Sequence, residues 1–159
     1  MVLIEKLMKT ELVTAAPDDT VQDVAKRMDQ NGVGAVLVVE GSGDSAKLRG
    51  LFSERDLVQR VVVPGLDPKA TSVGSVMTSD PTAVAPEAKV RECAELIRKR
   101  GFRHVPVVQG SRPVGILSAR DFQSYLVAGL ESLIENDSYR KALEDGRDPY
   151  DHIGGGYET

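Results

Sequence analysis

Seven residues of this chain are written twice. Gly115-Ile116-Leu117-Ser118-Ala119-Arg120-Asp121 stands 65 residues after Gly50-Leu51-Phe52-Ser53-Glu54-Arg55-Asp56, and both stretches read glycine, apolar, apolar, serine, variable, arginine, aspartate. Recurrence inside longer matching segments signals a duplicated structural unit, a constraint that outranks any local propensity. Met8 matches Met77, Pro17 matches Pro86 and Gly32 matches Gly101, each at a separation of 69. The apolar set Val21, Val24, Ala25, Met28 returns as Val90, Cys93, Ala94, Ile97 at the same offset. Between Val39 and Gly50 the offset drops from 69 to 65, so the first repeat carries four extra residues there. They fall in Glu40-Gly41-Ser42-Gly43-Asp44-Ser45, a loop composition that tolerates insertion.

A 60-residue unit buries only about 60% of its unfolded surface and is marginal alone. Two such units sharing a core are the more stable solution for a chain of 159 residues. Three segments are expected: 1–70 as the first repeat with its lead-in and linker, 71–130 as the second repeat, and 131–159 as an acidic C-terminal helix or tail. That last segment holds eight acids against three bases, or −5, which leaves +1 on residues 1–130 from a total of −4. A body without a basic face argues against nucleic-acid binding. No apolar run approaches the roughly 20 residues of a membrane helix, and Met1 to Met8 has no signal-peptide core. One cysteine, Cys93, excludes an intramolecular disulfide framework and occupies an apolar helix position. The cytoplasm is the expected compartment.

In chain order, residues 3–8 read as a short helical lead-in and Leu12 to Ala15 as a strand that ends before Pro17. Thr20 is placed to cap a helix that carries Val21, Val24, Ala25 and Met28 on one face and stops at Asn31-Gly32. Val33 to Val39 suits a buried strand. Leu48 to Phe52 follows as the next strand, and Ser53 opens a helix through Val62. The second repeat replays this order with a strand at Thr82-Ala83-Val84 and a helix over Glu87 to Arg100. Strands follow at His104 to Val108 and Val114 to Leu117, and a helix runs from Ser118 to about Ile134. Pro64 to Ser72 reads as linker and 136–145 as one more short helix, while Pro149 and Gly154-Gly155-Gly156 forbid regular structure beyond. Each unit is β-α-β-β-α, and the fold class is mixed α/β (α+β).

This order, with Gly-apolar-x-Ser-x-x-Asp at the last strand-to-helix turn, resembles the cystathionine β-synthase (CBS) domain. Two in tandem resemble the CBS pair, or Bateman module. Val76-Met77-Thr78, echoed by Leu7-Met8-Lys9-Thr10, and Arg103-His104-Val105-Pro106-Val107-Val108 support the resemblance, which covers residues 7–128. It implies two repeats packed with pseudo-two-fold symmetry and a free-standing, non-catalytic module. It also implies an adenosine-containing ligand (AMP, ADP, ATP or S-adenosylmethionine) bound between the repeats, a homodimer, and a regulated protein of unknown identity. The alternative is a dimerisation or docking scaffold with no physiological nucleotide.

The residues suit a nucleotide on physical grounds. A serine opening a helix sets a hydroxyl beside free backbone N–H groups at the positive end of the dipole, which attracts phosphate. Asp56 and Asp121 return to the face of their serines and can accept from ribose hydroxyls. Arg55 and Arg120 carry fork-shaped donors for phosphate oxygens. The competing structural reading is that each serine caps its helix while the aspartate bonds first-turn amides. The expected principal site gathers Thr82, Val84, Arg103, His104, Pro106, Ser118, Arg120 and Asp121, and a second, weaker site uses Val13, Ser53, Arg55 and Asp56. Arg103 reads equally as a cation ending a helix, and His104 as a satisfied structural histidine. Glu54, where repeat 2 has Ala119, sets a negative charge beside the weaker site. There is no metal-ligand cluster, with histidines only at 104 and 152, and no nucleophile paired with a base.

Overall fold

The computed structural model of the chain describes residues 2–147, apart from the side chains of Ser138 and Tyr139. Pro149 and Gly154-Gly155-Gly156, read above as ending regular structure, lie outside the described residues, as does the end of the acidic segment. The chain forms two compact units, one reaching to Asp121 and the other beginning at Phe122.

The first unit contains repeat 1 and repeat 2 as far as Asp121. Strand β1 (Thr14–Ala15) leads to helix α1 (Val21–Asn31), strand β2 (Ala35–Glu40) and strand β3 (Lys47–Ser53). Thr20 caps α1 by accepting from Asp23 N–H at 3.2 Å, and Gly32 ends it at φ 62°, a conformation that costs glycine no side-chain clash. Helix α2 (Glu54–Asp56) continues as a π-helical stretch over Leu57–Val62, so the helix expected through Val62 forms but is wound more loosely. A short helix α3 (Val73–Val76) precedes strand β4 (Thr78–Ser79). Helix α4 (Val90–Arg100) begins three residues later than the expected Glu87, and strands β5 (His104–Gln109) and β6 (Arg112–Ser118) follow it. The strand expected at Thr82 to Val84 is a single parallel bridge from Val84 to Val107.

Sheet order in the first repeat is β1-β2-β3-β4, with β1 parallel to β2 and the other pairs antiparallel. The second repeat reproduces it as Val84, β5, β6 and Lys9, the last bridging antiparallel to Ile116. Each repeat is therefore completed by the lead-in of the other. Thr78, ahead of repeat 2, pairs with Leu51 of repeat 1, while Lys9, ahead of repeat 1, pairs with Ile116 of repeat 2.

The same exchange fixes the lead-ins themselves. Ile4 N–H donates to Ala88 O and Glu5 N–H to Pro86 O, and their counterparts Val73 and Gly74 donate to Asp19 O and Pro17 O. Val90 N–H donates to Val2 O as Val21 N–H does to Thr71 O. Reciprocity at every one of these positions is the mark of an approximate two-fold axis between the repeats. The core of repeat 1 gathers Val21, Val24, Met28, Val36, Val38, Phe52, Val61 and Val73. Ile4, Cys93, Val105, Val107 and Leu117 are fully buried as well.

The second unit is helical. Helix α5 (Ala119–Glu144) starts in the first unit and runs without a break where two helices were expected, through Ile134 and over 136–145. The polar run Asn136-Asp137-Ser138 does not interrupt it. Asn136 Nδ2 donates to Ser132 Oγ at 3.5 Å, and Arg140 pairs with Asp137 at 2.6 Å, contacts that helical spacing creates. Gly146 at φ 67° ends the helix, with Arg147 N–H reaching back to Ala142 O. Its side chains Leu126, Leu130, Leu133 and Ile134 are exposed. No described helix is long and apolar enough to cross a membrane.

Candidate functional site

Each repeated motif folds into a reciprocal helix cap. Ser118 N–H and Ser118 Oγ–H both donate to Asp121 Oδ2 at 2.7 Å, and Asp121 N–H donates to Ser118 Oγ at 3.3 Å. In repeat 1, Ser53 N–H donates to Asp56 Oδ2 at 2.9 Å, Ser53 Oγ–H to the same oxygen at 3.0 Å, and Asp56 N–H to Ser53 Oγ at 3.3 Å. Two orphan donors at each helix start are satisfied this way. The residue after each serine is also tied down: Glu54 N–H donates to Gly34 O at 3.0 Å, and Ala119 N–H to Arg103 O at 2.8 Å.

The free first-turn amides expected to attract phosphate are thus mostly engaged. What stays open is the second carboxylate oxygen. Asp56 Oδ1 lies 3.6 Å from Arg60 Nε, and Asp121 Oδ1 lies 3.5 Å from Lys9 Nζ. Asp56 is the one charged side chain among the buried residues described.

Ser53, Arg55 and Asp56 line a cleft of about 290 Å³. The opposite wall comes from repeat 2, with Thr82, Arg103 and His104 beside Pro81 and Phe102. The cleft groups these residues differently from the expectation: Thr82 and Arg103 line it together with the motif of the other repeat. Val84 and Pro106 do not line this cleft. Val84 N–H donates to Pro106 O at 3.0 Å within the sheet, and Pro106 is buried. Val13 packs on the repeat 1 core and Arg120 is exposed.

His104 stands between the motifs. It lines the Ser53 cleft, yet in the β5–β6 register it is opposite Ser118. Burial pushes its imidazole below the ordinary histidine value, Asp121 and then Glu54 pull it back up, and Arg103 and Lys9 push it down. Glu54 leans the same way: a Cβ on Gly34 would meet Glu54 Oε2 at 3.4 Å and His104 Cε1 at 3.7 Å.

Arg60, Gln59 and Thr78 also line the cleft and were missed by sequence reasoning. Arg60 carried a signal, being one helical turn from Asp56, where it also donates to Val76 O at 3.0 Å. Thr78 carried one too, in the Val76-Met77-Thr78 stretch that recurs at Met8.

A family model described as CBS domain matches residues 4–63 and again 73–128. The mitochondrial CBS domain-containing protein CBSX3 of Arabidopsis thaliana is 38% identical over 106 residues, 65% of this chain and 51% of that protein. The chain therefore spans about half the length of that plant relative. A hexameric CBS-CP12 protein from bloom-forming cyanobacteria superposes with a TM-score of 0.70 at 29% identity, over 99% of this chain and 91% of that one. The CBS domain protein PAE2072 from Pyrobaculum aerophilum, solved in complex with AMP, superposes with a TM-score of 0.68 at 29% identity, over 76% and 89%. Two matched segments, one shared capping motif and the same folded pair in solved relatives agree: the chain belongs to the CBS domain family.

Proposed function

We propose that this chain is a regulatory module that binds an adenine nucleotide in the cleft at Ser53 and Asp56 and changes the behaviour of a partner protein. The observation that carries the reading is the cap geometry. Asp56 holds its own helix with Oδ2 and keeps Oδ1 as an acceptor in a cleft whose rim carries Arg55, Arg60 and Arg103. A ribose hydroxyl suits the carboxylate, phosphates suit the guanidinium groups, and Leu51, Pro81 and Phe102 offer the base an apolar face. The AMP complex of the Pyrobaculum relative supports the ligand class. The same reading assigns the second site to Ser118 and Asp121, with Lys9 paired to the Asp121 carboxylate. This reverses the expected ranking. The richer site is the Ser53 cleft, since Arg103 and His104 serve it.

Thermal melting with AMP, ADP, ATP and S-adenosylmethionine tests the reading. A ligand at a hundred times its dissociation constant that binds only the folded chain adds about 2.7 kcal/mol of stability. Asp56→Asn removes most of the response and Asp121→Asn less. If millimolar nucleotide leaves the melting curve unchanged, the scaffold reading replaces this one.

Self-association is the second reading. Leu126, Leu130 and Leu133 are each more than half exposed along one helix, a contiguous apolar stripe that a second copy would bury. A homodimer is the minimal closed arrangement, and the hexamer of the cyanobacterial relative is a larger one. Light scattering at micromolar concentration should give a multiple of 17.2 kDa, falling to the monomer mass in Leu130→Asp.

A further inference from the structure

We propose that His104 makes ligand binding in the Ser53 cleft proton-linked, so that an anionic phosphate seated there brings one proton with it onto the imidazole. The proposal rests on the nucleotide reading above and adds its regulation. Three placements carry it. His104 lines the cleft that holds Ser53 and Asp56. Its ring shares the space over Gly34 with the Glu54 carboxylate, where a side chain on residue 34 would touch both. Across the β5–β6 pair it is opposite Ser118, whose hydroxyl is bonded to Asp121. The two-fold counterpart of His104 is Ala35, which is buried and cannot titrate, so within the repeats the switch exists once and on one side.

The charges around the ring pull in both directions. Asp121 at the start of α5 and Glu54 at the start of α2 favour the imidazolium. Arg103 before β5 and Lys9 on the repeat 1 lead-in oppose it. Arg55, Arg60 and Asp56 complete the charged lining of the cleft. In the free chain, burial decides this contest for the neutral ring. A phosphate entering the cleft adds negative charge and engages Arg103, removing one opponent of protonation while adding a partner. Binding then strengthens as pH falls through the histidine range and weakens again as pH rises past the value reached in the complex.

Two measurements on the full chain test this. Calorimetric titration with AMP, repeated in buffers of different ionisation enthalpy near neutral pH, gives the protons taken up per nucleotide. The expected result is uptake for the wild type exceeding that of His104→Gln, with adenosine showing no such difference. In a His152→Gln background His104 is the single imidazole, and its proton NMR titration should move up by about one unit when AMP is added, a tenfold change in proton affinity. That second readout uses the native residue at 104 and does not depend on the Gln variant folding. Nucleotide that binds with equal uptake in wild type and His104→Gln, or an imidazole titration unmoved by AMP, overturns the proposal and leaves the nucleotide reading standing. Absence of any binding by AMP, ADP or ATP overturns both.

Discussion

Met8 occupies the space in which any other residue at Gly115 would carry its side chain: a Cβ there would come within 2.5 Å of Met8 Sδ. Met77 stands in the same relation to Gly50, where a Cβ would meet Met77 Cγ and Thr78 O at 2.8 Å. The glycine of the repeated motif is thus explained by packing, not by backbone torsion, since neither glycine has positive φ. A flexible methionine from the other repeat's lead-in fills the notch.

Gly115→Ala should accordingly destabilise the fold by about 1–3 kcal/mol through overpacking. Met8→Ala in the same chain should recover part of that loss, because the clash is with its side chain. Urea unfolding of the two single variants and the double variant gives the coupling. Additive losses would show that the two residues do not compete for one space.

Ser53→Ala and Ser118→Ala each remove a helix cap and should cost about 0.5–2 kcal/mol in thermal or urea unfolding. Asp56→Ala should cost more than Ser53→Ala. It leaves Ser53 N–H without its acceptor in a part-buried site, and such an orphan costs about 1–3 kcal/mol. Ser53→Thr should be close to neutral.

Cys93 is fully buried, and desolvation pushes its thiol up from 9.0 to about 11. A thiol-disulfide reagent at pH 8 should leave the folded chain unlabelled and label it at once in denaturant. Because the native value is the higher one, the contribution to stability is intact below pH 9.0 and declines as pH climbs towards 11. Cys93→Val, which copies Val24 of the other repeat, should remove that decline.

For His104 the sign is opposite. Its folded value is depressed, so the unfolded chain binds the proton more readily and stability falls as pH drops through about 6.5 and below. Melting temperatures at pH 7.5 and 5.5 should differ by less in His104→Gln than in the wild type.

Much of this was legible in the residues. Thr20, Gly32 and the Val21-Val24-Met28 face announced α1, and the two Ser-x-x-Asp motifs announced the caps at Ser53 and Ser118. The paired Met8 and Met77 were visible as a match, but not as the filling for Gly115 and Gly50. Periodicity reports which side of an element is buried, not which repeat covers it. For the same reason the sequence did not group Thr82 and Arg103 with Ser53 and Asp56, whose cleft they line. The single bridge at Val84 shows the complementary limit. A segment held by two hydrogen bonds to Pro106 and Val108 looks, in sequence, like a full strand.

The exchange of lead-ins also sets an order of events for a chain leaving the ribosome. Lys9 emerges early, yet its partner Ile116 follows more than a hundred residues later, and Leu3 must wait for Lys89. Such distant pairing raises contact order and delays closure. A nascent chain stopped at Val63 would hold a lead-in with nowhere to dock and a β3 edge still lacking Thr78 and Ser79. An unpaired β3 is the kind of edge that recruits another chain, so shielding during synthesis matters most in the interval before β4 arrives.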